Sequence, residues 1–112
     1  SKLMCNLVKK VCFYIIPITF LLSFSAYARV DCPTAIVENI QIEDNVVLYQ
    51  QAGSLWRRLG VLNEEGTRER LSAMLAAQMA GKKVFVSYRR SDYDCNERNT
   101  SESAFILRIH NL

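Results

Sequence analysis

The sequence predicts a mainly β fold with one helix, in which five strands in the order β-β-β-α-β-β curl into a barrel. Three observations carry this reading. Beyond residue 34, five short runs rich in β-branched and aromatic residues alternate in polarity, with turn residues between most of them. One stretch, Thr67–Gly81 (TRERLSAMLAAQMAG), instead repeats large apolar residues at helical spacing. Several strands carry apolar residues on both faces, which a curled sheet capped by a helix can bury and a flat exposed sheet cannot.

The N-terminal stretch comes first and stands apart. Lys2, Lys9 and Lys10 precede a run without charge from Val11 to Ala28, whose apolar heart is VCFYIIPITFLLSF. Ser25-Ala26-Tyr27-Ala28 closes it with small residues at alternate positions. A basic head, an apolar middle and an A-x-A site together describe a secretory signal peptide over 1–28, cut after Ala28. The competing reading is an uncleaved membrane anchor. Its 18 uncharged residues lie near the lower limit for a span, and Pro17 interrupts them. The cleaved signal is the reading carried forward, with 29–112 as a single domain exported to the periplasm or secreted, and no membrane contact after cleavage.

Export changes both charge and cysteine chemistry. The full chain carries 14 Lys plus Arg against 11 Asp plus Glu, a formal charge of +3. Three lysines and no acid belong to the signal, so 29–112 has 11 against 11 and no general pull on nucleic acid or anionic lipid. Cys5 and Cys12 lie in the signal, which leaves Cys32 and Cys95 as an even pair in an exported chain, predicted to form one disulfide. A metal or redox role has little support: there is no CxxC, and His110 is the sole histidine.

Within the domain, Ala35–Ile42 is predicted to be a strand with Ile36, Ile40 and Ile42 on one face. The polar turn Glu43-Asp44-Asn45 leads into Asn45–Gln51, so the two runs read as a hairpin. Ser54–Leu62 follows as a third strand, with Leu55, Leu59 and Val61 sharing a parity and Gly60 suggesting a bulge or bend. The helix is predicted over 67–80, with Leu71, Leu75 and Met79 as its packing stripe, thickened by Met74. Asn63 or Thr67 would cap its start, and Gly81 would close it. Lys83–Arg90 reads as a strand with Val84, Val86 and Tyr88 opposite Phe85, Ser87 and Arg89. The polar connection Ser91–Ser101 contains Cys95, and Ser103–Asn111 reads as the last strand.

This order, with the helix between the third and fourth strands, is the connectivity of the five-stranded Greek-key barrel known as the OB fold. The run Leu71–Val86, a helix ending in Ala-Gly and passing into Lys-Lys-Val-Phe-Val, resembles the helix-to-strand passage of toxin receptor-binding B subunits of the subtilase-cytotoxin and pertussis-like branch. It also resembles small exported bacterial proteins with a similar GKKV strand and a later Asp-Cys. The resemblance implies an exported OB-like domain that assembles as a pentameric ring and binds cell-surface glycans. No sugar-binding motif of that family matches here residue by residue, so no site is transferred.

Read from the residues themselves, the candidate ligand-binding set is Trp56, Tyr88, Arg90 and Tyr93: aromatic faces stack on sugars, and arginine donates paired hydrogen bonds. Asp92-Tyr93-Asp94-Cys95-Asn96 begins like a calcium loop, but Glu97 stands where Gly is needed and Ser103 where Glu is needed. Trp56-Arg57-Arg58 and Tyr88-Arg89-Arg90 contain the pieces of a nucleic-acid surface, against which the balanced charge of 29–112 argues. The plain reading of these arginines is solvent-facing strand residues. No Ser/His/Asp or Cys/His set forms without His110, so no enzyme, cofactor or metal is predicted. Two functions are carried forward: a glycan- or protein-binding exported module, and a monomeric periplasmic or envelope structural protein.

Overall fold

A computed structural model describes residues 28–111. The targeting segment read over 1–28 therefore lies, except for Ala28, outside the described residues. The element order is β1 (Val30–Asp31), β2 (Ala35–Glu43), β3 (Val46–Gln51), β4 (Arg57–Val61), α1 (Thr67–Ala80), β5 (Lys83–Tyr88) and β6 (Ile106–Ile109). The architecture is mainly β with one helix. Its six strands pair antiparallel in an open sheet and do not close into the expected five-stranded barrel. The additional strand, β1, is two residues long and had no alternation by which to be read.

The open sheet follows from how β5 is used. On one edge β5 pairs first with β1 (Val30↔Tyr88, Asp31↔Ser87) and then with the start of β2 (Ala35↔Val84, Ile36↔Lys83). Cys32 N–H, between those strands, donates to the Val86 carbonyl at 3.0 Å. On its other edge β5 pairs with β6 from Val84↔Ile109 to Ser87↔Ile106. The β4 and β6 strands do not pair with each other. The connection before β6 lies against β4 instead, through Arg58 N–H to Asn99 O (3.0 Å), Asn99 N–H to Trp56 O (3.1 Å) and Ala104 N–H to Leu59 O (3.1 Å). That connection is polar and lacks strand alternation, so it contributes one isolated bridge, Arg57↔Asn99, in place of a ladder.

Two irregularities decide which faces turn inward. In β2 the register to β3 shifts between Val37 and Asn39, and an extra residue bends a strand and reverses its parity. Val37 is therefore buried, Ile40 is partly buried against the core and Ile36 is exposed. Ile42, near the hairpin end, is exposed as well, so the expected stripe of three isoleucines is broken. The hairpin turn itself tightens to Asp44-Asn45, with Asp44 at φ 51° and Glu43 still paired to Val46. In β4 the register to β3 shifts beside Leu59, next to Gly60 as expected. Arg57, Leu59 and Gly60 are buried while Leu55 lies exposed outside the strand. Gly60 is also where β4 meets the helix: a Cβ there would collide with the Thr67 side chain.

The helix has the predicted span but a different inner face. Thr67, Met74 and Ala77 are buried, and Leu71 packs against the core; Leu75 is exposed and Met79 is 88% exposed. The 71/75/79 stripe advances about 40° around the axis at every step of four residues. It therefore leaves a contact that residues at 67, 71, 74 and 77 maintain. Neither Asn63 nor Thr67 caps the start with its side chain; Gly66, at φ 86°, is the N-cap. Gly81, at φ 67°, closes the helix as expected, donating to the Gln78 carbonyl while Lys82 N–H donates to that of Ala77.

Cys32 and Cys95 are joined, with their Cα atoms 5.5 Å apart. The bridge ties the segment between β1 and β2 to the connection between β5 and β6. Cross-linking residues 63 apart in sequence is worth about 4 kcal/mol in the chain-entropy account. For a domain this small that is a large part of net stability. Reduction, or Cys95→Ser, should therefore lower the melting temperature sharply in a thermal melt followed by circular dichroism. A melt unchanged by reductant would show that the bridge contributes nothing.

Candidate functional site

A cleft of about 460 Å³ lies at the junction of the β4–α1 turn, the helix and the two ends of the β5–β6 connection. Its chemistry is charged on every side. Arg58 on β4, Arg70 on the first turn of α1 and Arg89 just after β5 supply three guanidinium groups. Glu64, Glu65 and Glu102 supply three carboxylates.

The pieces interlock. Arg58 Nε donates to Ser103 Oγ at 2.9 Å, and that hydroxyl donates to Glu64 Oε1 at 2.8 Å. The Val61 N–H adds a 2.7 Å bond to the same carboxylate oxygen. The Ser103 hydroxyl first, and then this backbone N–H, hold the Glu64 carboxyl below the usual carboxylate range. Arg70 Nη1 and Nη2 reach the Phe105 and Glu65 carbonyls at 3.4 and 3.3 Å, and its Nε is buried without a partner. Arg89 lies over the Phe105 ring, 4.4 Å from its centroid. At the rim, Arg90 pairs with Asp92 at 2.8 Å and with Glu102 at 3.1 Å.

Of the four residues expected to bind a ligand, one meets this cleft. Arg90 is exposed and touches it through Glu102. Trp56 is partly buried ahead of β4 and lines neither this cleft nor the smaller pocket described below. Tyr88 and Tyr93 are brought together, but with each other. Their rings stack at 3.8 Å and 7°, Tyr88 is fully buried, and Tyr93 is 5% exposed. The Tyr88 hydroxyl donates to the Arg58 carbonyl at 2.9 Å and lies 2.9 Å from the Tyr49 hydroxyl. An aromatic platform open to a sugar cannot be built from rings already closed in this way. Burial pushes the Tyr88 phenol far above its ordinary range and the Tyr93 phenol up to about 12.

The cleft residues escaped sequence reading because they come from four separate segments, and no spacing links Arg58, Arg70, Arg89 and Ser103. The doublets Arg57-Arg58 and Arg89-Arg90 are the available signal, and their plain reading places them toward solvent. For Arg57 that is corrected: it is 2% exposed, sharing the buried side of Leu59 and bonded to Tyr49 and Gln51. Among the described residues, no three His, Cys, Asp or Glu side chains come together to hold a metal ion, and no helix is long and apolar enough to cross a membrane.

No protein-family model matches the chain, and no curated protein and no solved structure matches it significantly.

Two measurements follow from the site. Ser103→Ala should move the Glu64 carboxyl back up toward the ordinary carboxylate range, read by carbon-detected NMR titration; an unmoved value would assign its depression to the backbone bond alone. The tyrosine pair sets an alkaline limit. A phenol near 10 when unfolded and about 12 when folded contributes stability present below pH 10 and lost as pH rises through 12. The melting temperature should fall across that window. Tyr93→Phe should shrink the fall without costing stability at neutral pH, since its buried hydroxyl has no hydrogen-bond partner.

Proposed function

We propose that this chain is an exported, non-catalytic binding module of OB-like architecture, and that the cleft between Arg58, Arg70 and Arg89 holds a glycan. The observation that carries the reading is the interleaving of three guanidinium groups with three carboxylates around one concavity. Such a surface has no net charge to neutralise, yet offers dense donors and acceptors. A hydroxyl-rich ligand matches it, because each sugar hydroxyl can donate to a carboxylate and accept from an arginine. The Cys32–Cys95 disulfide and the basic-then-apolar N-terminal sequence support export.

The OB-like connectivity, in a sheet that stays open, belongs to the same proposal. The β2–β3–β4 meander ahead of α1 and the contact of residues 99–104 with β4 support it. The ring assembly that the toxin-subunit resemblance implies is part of the proposal, and the outward Leu75 and Met79 on α1 offer apolar surface for it.

A glycan array probed with wild type, Arg58→Ala and Trp56→Ala, with mass in solution measured alongside, tests the proposal. Wild type should bind a defined set of glycans. Arg58→Ala should lose about tenfold or more, as expected when a hydrogen bond to a charged group is removed. Trp56→Ala, outside the cleft, should bind as wild type. No glycan above background for the intact assembly, or undiminished binding by Arg58→Ala, would overturn the cleft assignment.

A further inference from the structure

A second site lies apart from the cleft. Arg57 is 2% exposed, so its guanidinium sits in the interior. Both of its side-chain hydrogen bonds leave from Nη1, to Gln51 Oε1 at 2.9 Å and to the Tyr49 hydroxyl at 3.3 Å; Nε is buried with no partner. The cation lies 5.7 Å from the centroid of the Tyr49 ring, which offers weak compensation. Among the described residues, the ion pairs formed are those of Arg29 and Arg90, and none includes Arg57. Every group that faces Arg57 by hydrogen bond or ring contact is therefore neutral.

This is an unusual electrostatic position. Arginine does not shed its proton in proteins, so burial cannot be relieved by neutralising it. A buried cation is costly unless an opposite charge or a full set of hydrogen bonds compensates it. Arg57 also lines a pocket of about 130 Å³, whose walls include Gln51, Leu55, Pro33, Cys95 and Asn96. The disulfide fastens two of these walls together, since Pro33 follows Cys32 and Cys95 is its partner. The pocket is the size of a small anion with its hydration and is far too small for a sugar chain.

We propose that this pocket is an anion site, in which the carboxylate of a small ligand or chain end pairs with Arg57. The planar fork of a guanidinium matches a carboxylate through paired N–H···O bonds, and among the described residues the protein bonds its terminal nitrogens only at Nη1. Gln51 holds the arginine in place. Its Nε2 donates to the Ala35 and Val84 carbonyls at 3.1 and 2.8 Å, which turns Oε1 toward Nη1. The site therefore joins β2, β3, β4 and β5, and filling it would stabilise the region where they meet.

The probe is sodium acetate, titrated into the intact disulfide-bonded chain in a low-salt, non-carboxylate buffer, with sodium chloride as a parallel arm. The readout is the Arg57 Nε–H resonance in a nitrogen–proton correlation spectrum. Acetate should shift this resonance saturably, at concentrations several-fold below those chloride requires. Asn96→Asp places a fixed carboxylate at the pocket wall on an exposed residue, away from the packed interior. That variant should weaken acetate binding several-fold while the fold stays intact. A response that grows linearly with salt and is equal for the two anions would overturn the site, and so would acetate affinity unchanged in Asn96→Asp. Neither result bears on the glycan cleft, whose residues are different.

Discussion

The two-sided use of β5 is the constraint from which the rest of the fold follows. Val84, Val86 and Tyr88 point one way and Phe85 and Ser87 the other, and all five are buried. Such a strand needs cover on both faces and partners on both edges, because an unpaired buried backbone group is costly. One edge is filled by β1 and the start of β2, the other by β6, and α1 packs alongside. The chain can supply β2 to β5 and to β3 in turn only by bending it, and the irregularity between Val37 and Asn39 provides the bend. The disulfide then fixes this wrapped segment to the connection that follows β5.

The interior around that strand is not purely apolar. Gln51, Arg57, Thr67 and Ser87 are buried among the valines, tyrosines and Met74. Gln51 bonds two carbonyls and an arginine, Ser87 bonds Asp31, and the Tyr49 and Tyr88 hydroxyls meet. Each of these contacts is satisfied in one register only, so together they add specificity where apolar packing alone would tolerate a slip. The arrangement also leaves the Arg57 cation facing neutral partners at the wall of a small pocket.

Fold and cleft share one segment. The connection from Asn99 to Phe105 holds the open side of the sheet by bonding to β4, and the same residues carry Glu102, Ser103 and Phe105 into the cleft. A polar, irregular stretch with no strand alternation thus has two duties, each invisible to pattern reading. Its side chains are satisfied by distant elements: Ser103 by Arg58 and Glu64, Phe105 by Arg89.

What the amino-acid order determined by itself was local or arithmetic. The strand runs, the helix over 67–80, its glycine stop and the pairing of the two cysteines beyond residue 28 were all legible there. Each depends on spacing between near neighbours or on there being a single possible partner. Tertiary structure decided what depends on parity and on distant contacts. One extra residue in β2 and another in β4 chose which residues face inward, exposing Ile36 and burying Gly60, while contact with Tyr49 and Gln51 holds Arg57 inside. The helix met the sheet through Thr67, Met74 and Ala77, leaving Met79 outside. Tyr88 and Tyr93 closed on one another, and Arg58, Arg70 and Arg89 converged from three elements. A bulge shifts every later residue to the opposite face without leaving a distinct mark in composition, and convergence of distant side chains leaves none in spacing; both are properties of the folded chain.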